Sequence, residues 1–357
     1  MLDMVSRWYK RRFSDPHAVS LVAILLFGFI TIYFLGHLIA PLLVAIVLAY
    51  LLEWPVTKMC RLGVPRTFSV VTVILIFTGL MLVAIFGLVP TIWTQVGNLL
   101  NDIPSMYAGL QKFISTLPER YPELANLQIV ETLVTNAKNK AIGLGESVVK
   151  GSLASLVSLA TLGVYLILVP LLVFFLLKDK EEMLNMASGV LPKNRKLANK
   201  VWHEMNEQIS NYIRGKVLEI LIVGSVSYVT FAILDLRYSA LLAVAVGLSV
   251  LIPYIGAAAV TVPVAIVGLF QWGLTPQFYW LLVAYGIIQA LDGNVLVPVL
   301  FSEAVNLHPV AIIVAVLVFG GLWGFWGVFF AIPLATLVKA VWNALPSTEE
   351  QESIVEP

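Results

Sequence analysis

Ionisable side chains become scarce in the last third of this sequence, where each one stands out against long apolar runs. A charged group at the centre of a bilayer costs roughly 3 kcal/mol or more, so such groups are usually retained for ions or solutes. We therefore begin with the ionisable residues that follow Lys216 and precede Lys339. They are Glu219, Asp235, Arg237, Asp292, Glu303 and His308.

Asp292 is the strongest candidate because it lies in a polar interruption of the apolar run 278–300. The neighbouring glycine permits unusual backbone geometry. Side chains of this stretch could converge on an ion or a hydroxylated solute, or could only form hydrogen bonds between helices or at a membrane surface. The sequence leaves both interpretations open. The candidate pathway residues of this stretch are Gln289, Asp292, Gly293 and Asn294.

A second interruption lies inside the apolar run 240–270, at Pro253, Tyr254 and Gly256. Proline removes a backbone donor and glycine allows a turn, which indicates a discontinuous helix or the tip of a hairpin. Broken helices often form transporter sites because their ends offer unpaired N–H and C=O groups. An ordinary proline kink is the alternative, and the sequence does not decide between them.

Three further ionisable residues have local explanations beside a functional one. Glu303 is a pathway candidate that could instead cap the helix beginning near Pro309, and His308 is either a helix-start residue or a proton carrier. Glu219 follows Lys216 by three residues, which favours a local ion pair on a helix.

A glycine-rich and aromatic stretch covers residues 320–327 in the last apolar run. Gly320 and Gly324 have the small-xxx-small spacing that lets helices pack closely, while the aromatic residues would also suit a solute path. We expect packing or hinge roles for Gly320, Gly324, Gly327 and Pro298.

No motif for catalysis, cofactor binding or metal binding is present. The sequence has no phosphate-binding G-x-x-x-x-G-K-[ST], no H-E-x-x-H and no G-x-S-x-G. The single cysteine, Cys60, and four widely separated histidines offer no metal-ligand spacing. A net charge of +1 gives no reason to expect a nucleic-acid partner. We therefore expect neither an enzyme, a cofactor nor a metal.

Composition indicates an integral membrane protein. Hydrophobic residues make up 59% of the chain and charged residues only 12%, about half the usual share in soluble domains. Apolar runs near the ~20 residues needed to cross a bilayer recur along the chain. We predict an all-α, polytopic protein with about eight transmembrane helices, some of them broken or re-entrant. The runs lie at 19–35, 38–52, 68–93, 153–177, 217–234, 240–270, 278–300 and 309–342.

Basic residues predict the orientation, because they concentrate on the cytoplasmic side of membrane proteins. Four lie before residue 13, three at 53–67 and eight at 178–216, whereas the five at 94–150 are matched by five acids. This predicts a cytoplasmic N-terminus in a bacterial inner membrane. The predicted segments are N-terminal transmembrane helices (1–93), an outer amphipathic segment (94–152), a transmembrane helix (153–177), a cytoplasmic amphipathic segment (178–216), a C-terminal bundle with broken helices (217–342) and an acidic cytoplasmic tail (343–357).

Several motifs in order along the chain resemble the autoinducer-2 exporter family. They are Asn211-Tyr-Ile-Arg-Gly215, Pro253-Tyr-Ile-Gly256, Gln289-Ala-Leu-Asp-Gly-Asn-Val-Leu-Val-Pro298, Asn306-Leu-His-Pro309 and Gly327-Val-Phe-Phe-Ala-Ile-Pro333. The resemblance implies seven or eight spans and a homo-oligomer, for which a pentamer is one arrangement. It also implies export of a small furanosyl signalling compound or sodium/proton exchange, both linked to members of the family. An acidic residue followed by glycine, as at Asp292, is common in the family.

Three classes of function follow from these observations. The first is a secondary transporter or exporter of a small polar solute, coupled to H⁺ or Na⁺, whose partners are the lipid bilayer, the solute and further copies of the chain. The second is a passive oligomeric channel. The third is a scaffold that presents its amphipathic segments to other proteins.

Overall fold

Helices account for the regular structure throughout the described part of the chain, which contains no β-strand. A computed structural model describes residues 16–120, 155–189, 196–301 and 307–344. The helices are α1 (Pro16–Arg61), α2 (Arg66–Arg120), α3 (Ser155–Lys178), α4 (Lys180–Gly189), α5 (Lys196–Ile233), α6 (Ser239–Ser249), α7 (Ile255–Trp272), α8 (Pro276–Leu291), a π-helical turn (Asp292–Leu296), α9 (Val297–Phe301), α10 (Pro309–Trp323), α11 (Phe325–Phe329) and α12 (Ala331–Ala344).

Five of these helices are long and apolar enough to cross a membrane, and shorter apolar helices accompany them. The predicted all-α polytopic architecture is therefore confirmed. The long segments are Leu38–Arg61, Arg66–Met106, Met205–Ile233, Ile255–Trp272 and Pro276–Phe301. The shorter ones are Gly163–Lys178, Ser239–Ser249, Pro309–Trp323 and Ala331–Val341.

Helix α1 corrects the sequence-based division of its region. The runs 19–35 and 38–52 were expected to be separate crossings, but one helix of 46 residues carries both. At about 1.5 Å per residue this helix is roughly 69 Å long, more than twice the ~30 Å hydrocarbon core. The two runs are separated only by Gly36 and His37, and one glycine weakens a helix by only about 1 kcal/mol. That is too little to interrupt an otherwise apolar helix.

Helices α2 and α5 likewise cross two of the predicted segment boundaries. Helix α2 continues from the apolar run 68–93 into the amphipathic region as far as Arg120. Helix α5 joins the amphipathic residues after 196 to the span that ends at Ile233. Helical periodicity continues across both boundaries, so a change in polarity alone does not end either helix. Residues 121–152 of the predicted outer segment lie outside the described part.

Polar contacts hold the beginning of α2 against the neighbouring helices. At its beginning, Arg66 donates two hydrogen bonds to the carbonyl of Leu177, from Nε at 3.0 Å and Nη2 at 2.6 Å. Glu53 of α1 accepts from Lys180 at 3.0 Å and lies 3.4 Å from Arg66. One end of the bundle therefore joins α1, α2, α3 and α4.

The extension of α2 docks on the turn between α5 and α6. The hydroxyl of Tyr238 donates to Oδ2 of Asp102 at 2.5 Å, and Nη1 of Arg237 lies 3.5 Å from the same oxygen. The backbone N–H of Leu241 donates to Oε1 of Gln95 at 2.9 Å. This contact connects the N-terminal helices to the C-terminal bundle.

Helices α6 and α7 form a helical hairpin. Helix α6 has 11 residues and is about 16 Å long, half the ~30 Å hydrocarbon thickness. At the far end of α7, Nε2 of Gln271 donates to the carbonyl of Asp235 at 2.6 Å, and its Oε1 accepts from the N–H of Arg237 at 2.7 Å. Both ends of the hairpin therefore lie together, and the hairpin alternative is the correct one for the run 240–270.

The tip of this hairpin is tight enough to require glycine. A Cβ at Gly256 would lie 1.8 Å from the carbonyl oxygen of Ser249, which is an impossible contact. Tyr254 adopts a φ of 63°, an unfavourable conformation for a bulky side chain. The tip therefore depends on close backbone packing and a strained residue.

Helices α10, α11 and α12 form a second hairpin. The chain reverses at Gly324, whose φ of 58° lies in the region that favours glycine. A Cβ at Gly327 would lie 1.8 Å from the carbonyl oxygen of Phe319, so α11 packs directly on the end of α10. The small-residue spacing therefore serves packing within this hairpin.

Candidate functional site

A cavity of about 610 Å³ lies between α5, the tip of the α6–α7 hairpin, the α8–π–α9 helix and the second hairpin. Its walls combine apolar side chains with a small group of polar and charged ones. The lining residues are Tyr212, Lys216, Glu219, Val250, Ile252, Pro253, Tyr254, Ala257, Gln289, Asp292, Gly293, Val297, Pro298, Phe301, Leu307, Pro309, Ile312 and Ile332.

Both interruptions singled out in the sequence line this one cavity. Pro253 and Tyr254 belong to the hairpin tip, and Asp292 begins the π-helical turn within the α8–α9 helix. Such π turns are rare and frequently occur at functional sites. Residues almost forty positions apart in sequence therefore share a wall, as a solute site between broken helices requires.

Polar atoms in this wall lack partners in the described part of the chain. Oδ1 of Asp292 and Nε2 of Gln289 are buried and form no hydrogen bond there. A buried polar atom without a partner costs about 1–3 kcal/mol. The two groups therefore have unused hydrogen-bonding capacity. Gly293 and Pro298, singled out with them, line the same cavity.

Other candidates lie elsewhere. Asn294 does not line the cavity and donates from Nδ2 to the carbonyl of Ala290, 2.8 Å away in its own helix. Gly256 supports the hairpin tip. His308 is exposed at the start of α10, where its Nδ1 accepts from the N–H of Val310 at 3.3 Å. Glu303 lies outside the described residues.

The hinge candidates have a separate location. Gly320, Gly324 and Gly327 shape the second hairpin and do not line the cavity. Pro298 is the one hinge candidate that lines the cavity.

Sequence reasoning predicted an ion pair between Lys216 and Glu219 but not its location. Nζ of Lys216 lies 2.7 Å from Oε2 of Glu219, and both side chains are buried in the cavity wall. The same ammonium donates to the carbonyl of Val250 at 2.9 Å and lies 5.1 Å from the ring centroid of Phe301. The i,i+3 spacing was the available signal, and only packing against the hairpin tip buries the pair.

Tyr212 lines the cavity too, and the sequence analysis did not select it as a candidate. It is buried, and its hydroxyl donates to the carbonyl of Phe329 at 2.8 Å. Its ring packs on those of Phe301 and Phe329. Tyr212 therefore connects α5, the cavity wall and the second hairpin.

These features define a class of protein: a multi-pass helical membrane protein with two helical hairpins around a cavity that contains polar groups, an arrangement typical of transporters. Comparison with known families agrees. The model of the AI-2E transporter family matches residues 22–347, so this chain belongs to that family.

Individual relatives cover nearly the same length. The chain is 57% identical over 346 residues to a protein of Escherichia coli (strain K12) named as a permease, PerM, covering 97% of this chain and 98% of the relative. It is 26% identical over 317 residues to YueF of Bacillus subtilis (strain 168), named as a transport protein, covering 87% and 84%. YhhT of Escherichia coli (strain K12), also named as a transport protein, is 24% identical over 310 residues, covering 86% and 84%.

Proposed function

We propose that this protein is a secondary transporter that exports a small polar solute of the autoinducer-2 type, driven by H⁺ or Na⁺. One observation carries the proposal: the hairpin tip at Pro253 and the π turn at Asp292 line the same cavity. Two broken helices around buried polar atoms without hydrogen-bond partners cost free energy of folding. Binding a solute there offsets that cost. The family membership supports transport rather than catalysis.

The cavity suits a hydroxylated compound. Gln289 offers an amide donor, Asp292 a carboxylate acceptor and Tyr254 a phenol, while apolar groups exclude water around them. A ring compound with several hydroxyl groups would satisfy these polar atoms. The sequence has no nucleotide-binding phosphate loop, so an ion gradient is the energy source that we propose.

The α6–α7 hairpin is the element that we expect to open and close the path. Both its ends lie together at one side of the bundle, so the tip can move while those ends stay in place. Leu251 at the tip packs with Tyr212 and with Phe329 of the second hairpin. Separation of these contacts would open the cavity to one side of the membrane.

Flux measurements in proteoliposomes test the proposal. Purified protein is reconstituted, and uptake of a panel of small polyhydroxylated solutes is measured with and without an imposed H⁺ or Na⁺ gradient. We expect gradient-dependent flux that Asp292→Asn abolishes. Asp235→Asn is the matched control, because Asp235 is exposed outside the cavity and asparagine tolerates its φ of 56°. Flux equal to that of empty liposomes across the panel would contradict the proposal, and resolved unitary currents would indicate a channel instead.

We also propose a bacterial inner-membrane location with the Glu53–Arg66–Lys180 end of the bundle in the cytoplasm. The support is the concentration of basic residues near that end. The same rule favours a cytoplasmic N-terminus. A continuous α1 would have its two ends on opposite sides of the membrane, so that placement requires the helix to break and reverse between its two apolar runs. Reporter fusions at the N-terminus and after residue 120 test the two sides, and an external N-terminus would show that α1 crosses once.

A homo-oligomer, with a pentamer as the first arrangement to test, completes the proposal. Its support is the family resemblance together with the amphipathic extensions of α2 and α5 beyond their apolar spans. Native mass spectrometry of the detergent-extracted protein measures the subunit number directly. A single-chain mass at all concentrations would contradict an oligomer.

A further inference from the structure

We infer that the cavity binds one exchangeable monovalent cation at Asp292. Lys216 is the counter-ion of Glu219, so Glu219 takes no part in this exchange. The inference rests on the proposed function and specifies its charge stoichiometry and charge selectivity. It follows from which charged groups line the cavity and from which of them already have partners.

The ammonium of Lys216 has two hydrogen-bond acceptors and an aromatic ring beside it. It donates to Oε2 of Glu219 at 2.7 Å and to the carbonyl of Val250 at 2.9 Å, and it lies over the ring of Phe301. An ammonium has three N–H donors, and these contacts surround it. Two of the three donors of Lys216 therefore have acceptors in the described part of the chain, which leaves at most one for an anionic solute.

Two carboxylates face this single ammonium. Among the residues that the structure describes, the titratable side chains that line the cavity are Tyr212, Lys216, Glu219, Tyr254 and Asp292. The described part of the cavity wall therefore carries one uncompensated negative formal charge when both carboxylates are ionised.

Asp292 is the group on which this charge is exposed to a ligand. Glu219 is held by a hydrogen bond to Lys216, whereas Oδ1 of Asp292 is buried with no hydrogen bond in the described part of the chain. Buried charges are normally paired or neutralised. A proton or an alkali-metal ion supplies the missing unit of positive charge, and the same negative wall disfavours anionic solutes.

The hairpin tip does not supply that charge. The carboxyl end of α6 and the amino end of α7 meet at this turn, so their opposite helix dipoles offset each other there. The carbonyl of Val250 at the end of α6 is already used by Lys216.

Binding measurements on the full-length protein in detergent, without any solute, test the inference. One arm measures radioactive Na⁺ by scintillation proximity at alkaline pH. The other counts protons per chain by potentiometric titration. We expect the wild type to bind one cation per chain with a Hill coefficient of about one, and Asp292→Asn to lose that site. A positive result in the first arm identifies an alkali-metal site, and one in the second arm alone identifies a proton site.

Glu219→Gln is the decisive variant. It leaves Asp292 intact but frees Lys216 to neutralise it, so we expect cation affinity to fall about tenfold or more. The double variant Lys216→Gln/Glu219→Gln removes both charges and should restore one cation per chain. If Glu219→Gln binds the cation as tightly as the wild type, the inference is wrong.

Controls separate this inference from folding and from the proposed function. Asp235→Asn changes a carboxylate outside the cavity and should retain one bound cation, and size-exclusion chromatography establishes that each variant is folded. Solute flux without a bound cation would overturn the inferred cation site and leave the proposed solute transport intact. Cation binding without flux of any solute would support the cation site and contradict the proposed solute transport.

Discussion

Nζ of Lys216 and Oε2 of Glu219 lie 2.7 Å apart in the cavity wall, with side chains only 5% and 3% exposed. On an isolated helix such a pair would contribute a few tenths of a kcal/mol. Burial changes this balance, because each charge now depends on the other to offset its desolvation. The pair is consequently both a structural element and the feature that sets the charge of the cavity.

Replacing one residue of the Lys216–Glu219 pair should lower the free energy of unfolding far more than replacing both. We expect Lys216→Met to lower the free energy of unfolding by about 3–5 kcal/mol, because it leaves Glu219 buried without its partner. Lys216→Met/Glu219→Leu should be close to the wild type. Unfolding by SDS titration measures both, and equal losses in the single and double variants would contradict this account.

Gly256 should tolerate no side chain. A Cβ there would lie 1.8 Å from the carbonyl oxygen of Ser249, and backbone atoms cannot move aside cheaply. We expect Gly256→Ala to yield little folded protein by fluorescence-detected size-exclusion chromatography. Gly286→Ala is the matched control, since a Cβ on Gly286 in α8 meets nothing within 4 Å. Normal yields of both variants would show that the hairpin tip is looser than described.

Loss of the Tyr212 hydroxyl should weaken the link between α5 and the second hairpin. Tyr212→Phe keeps the ring contacts but leaves the buried carbonyl of Phe329 without its 2.8 Å donor. We expect a loss of about 1–3 kcal/mol in the free energy of unfolding. The exposed Tyr279 provides the control variant Tyr279→Phe, which should have no measurable effect.

Arg66 should not be replaceable by lysine, although the charge is the same. Arg66→Lys loses the two-pronged contact to the carbonyl of Leu177 and its bridge to Glu53. We expect a lower thermal midpoint, and a smaller deficit in high salt because the Glu53 contacts are partly exposed and screened. Arg61→Lys, at the exposed end of α1 on the same side of the bundle, should leave the midpoint unchanged. An equal shift in both variants would show that only the general charge of this end matters.

The membrane class and the two broken stretches were predictable because both rest on local chemistry. Apolar length identifies spans, and proline, glycine and polar residues in the middle of such runs indicate breaks. The continuity of α1 was not predictable from Gly36, since one weak helix former does not determine where a helix ends. Similarly, the i,i+3 spacing of Lys216 and Glu219 predicts a pair whether it is solvated or buried.

The sequence alone determined that this chain is an all-α membrane protein whose polar interruptions at 253 and 292 are its candidates for solute handling. Only the tertiary structure decided that these interruptions share one cavity with Lys216 and Glu219, and that Asn294 does not line it. The physical reason is that helix breaks and residue polarity are local properties. Burial, charge pairing and the convergence of distant residues arise from packing between helices.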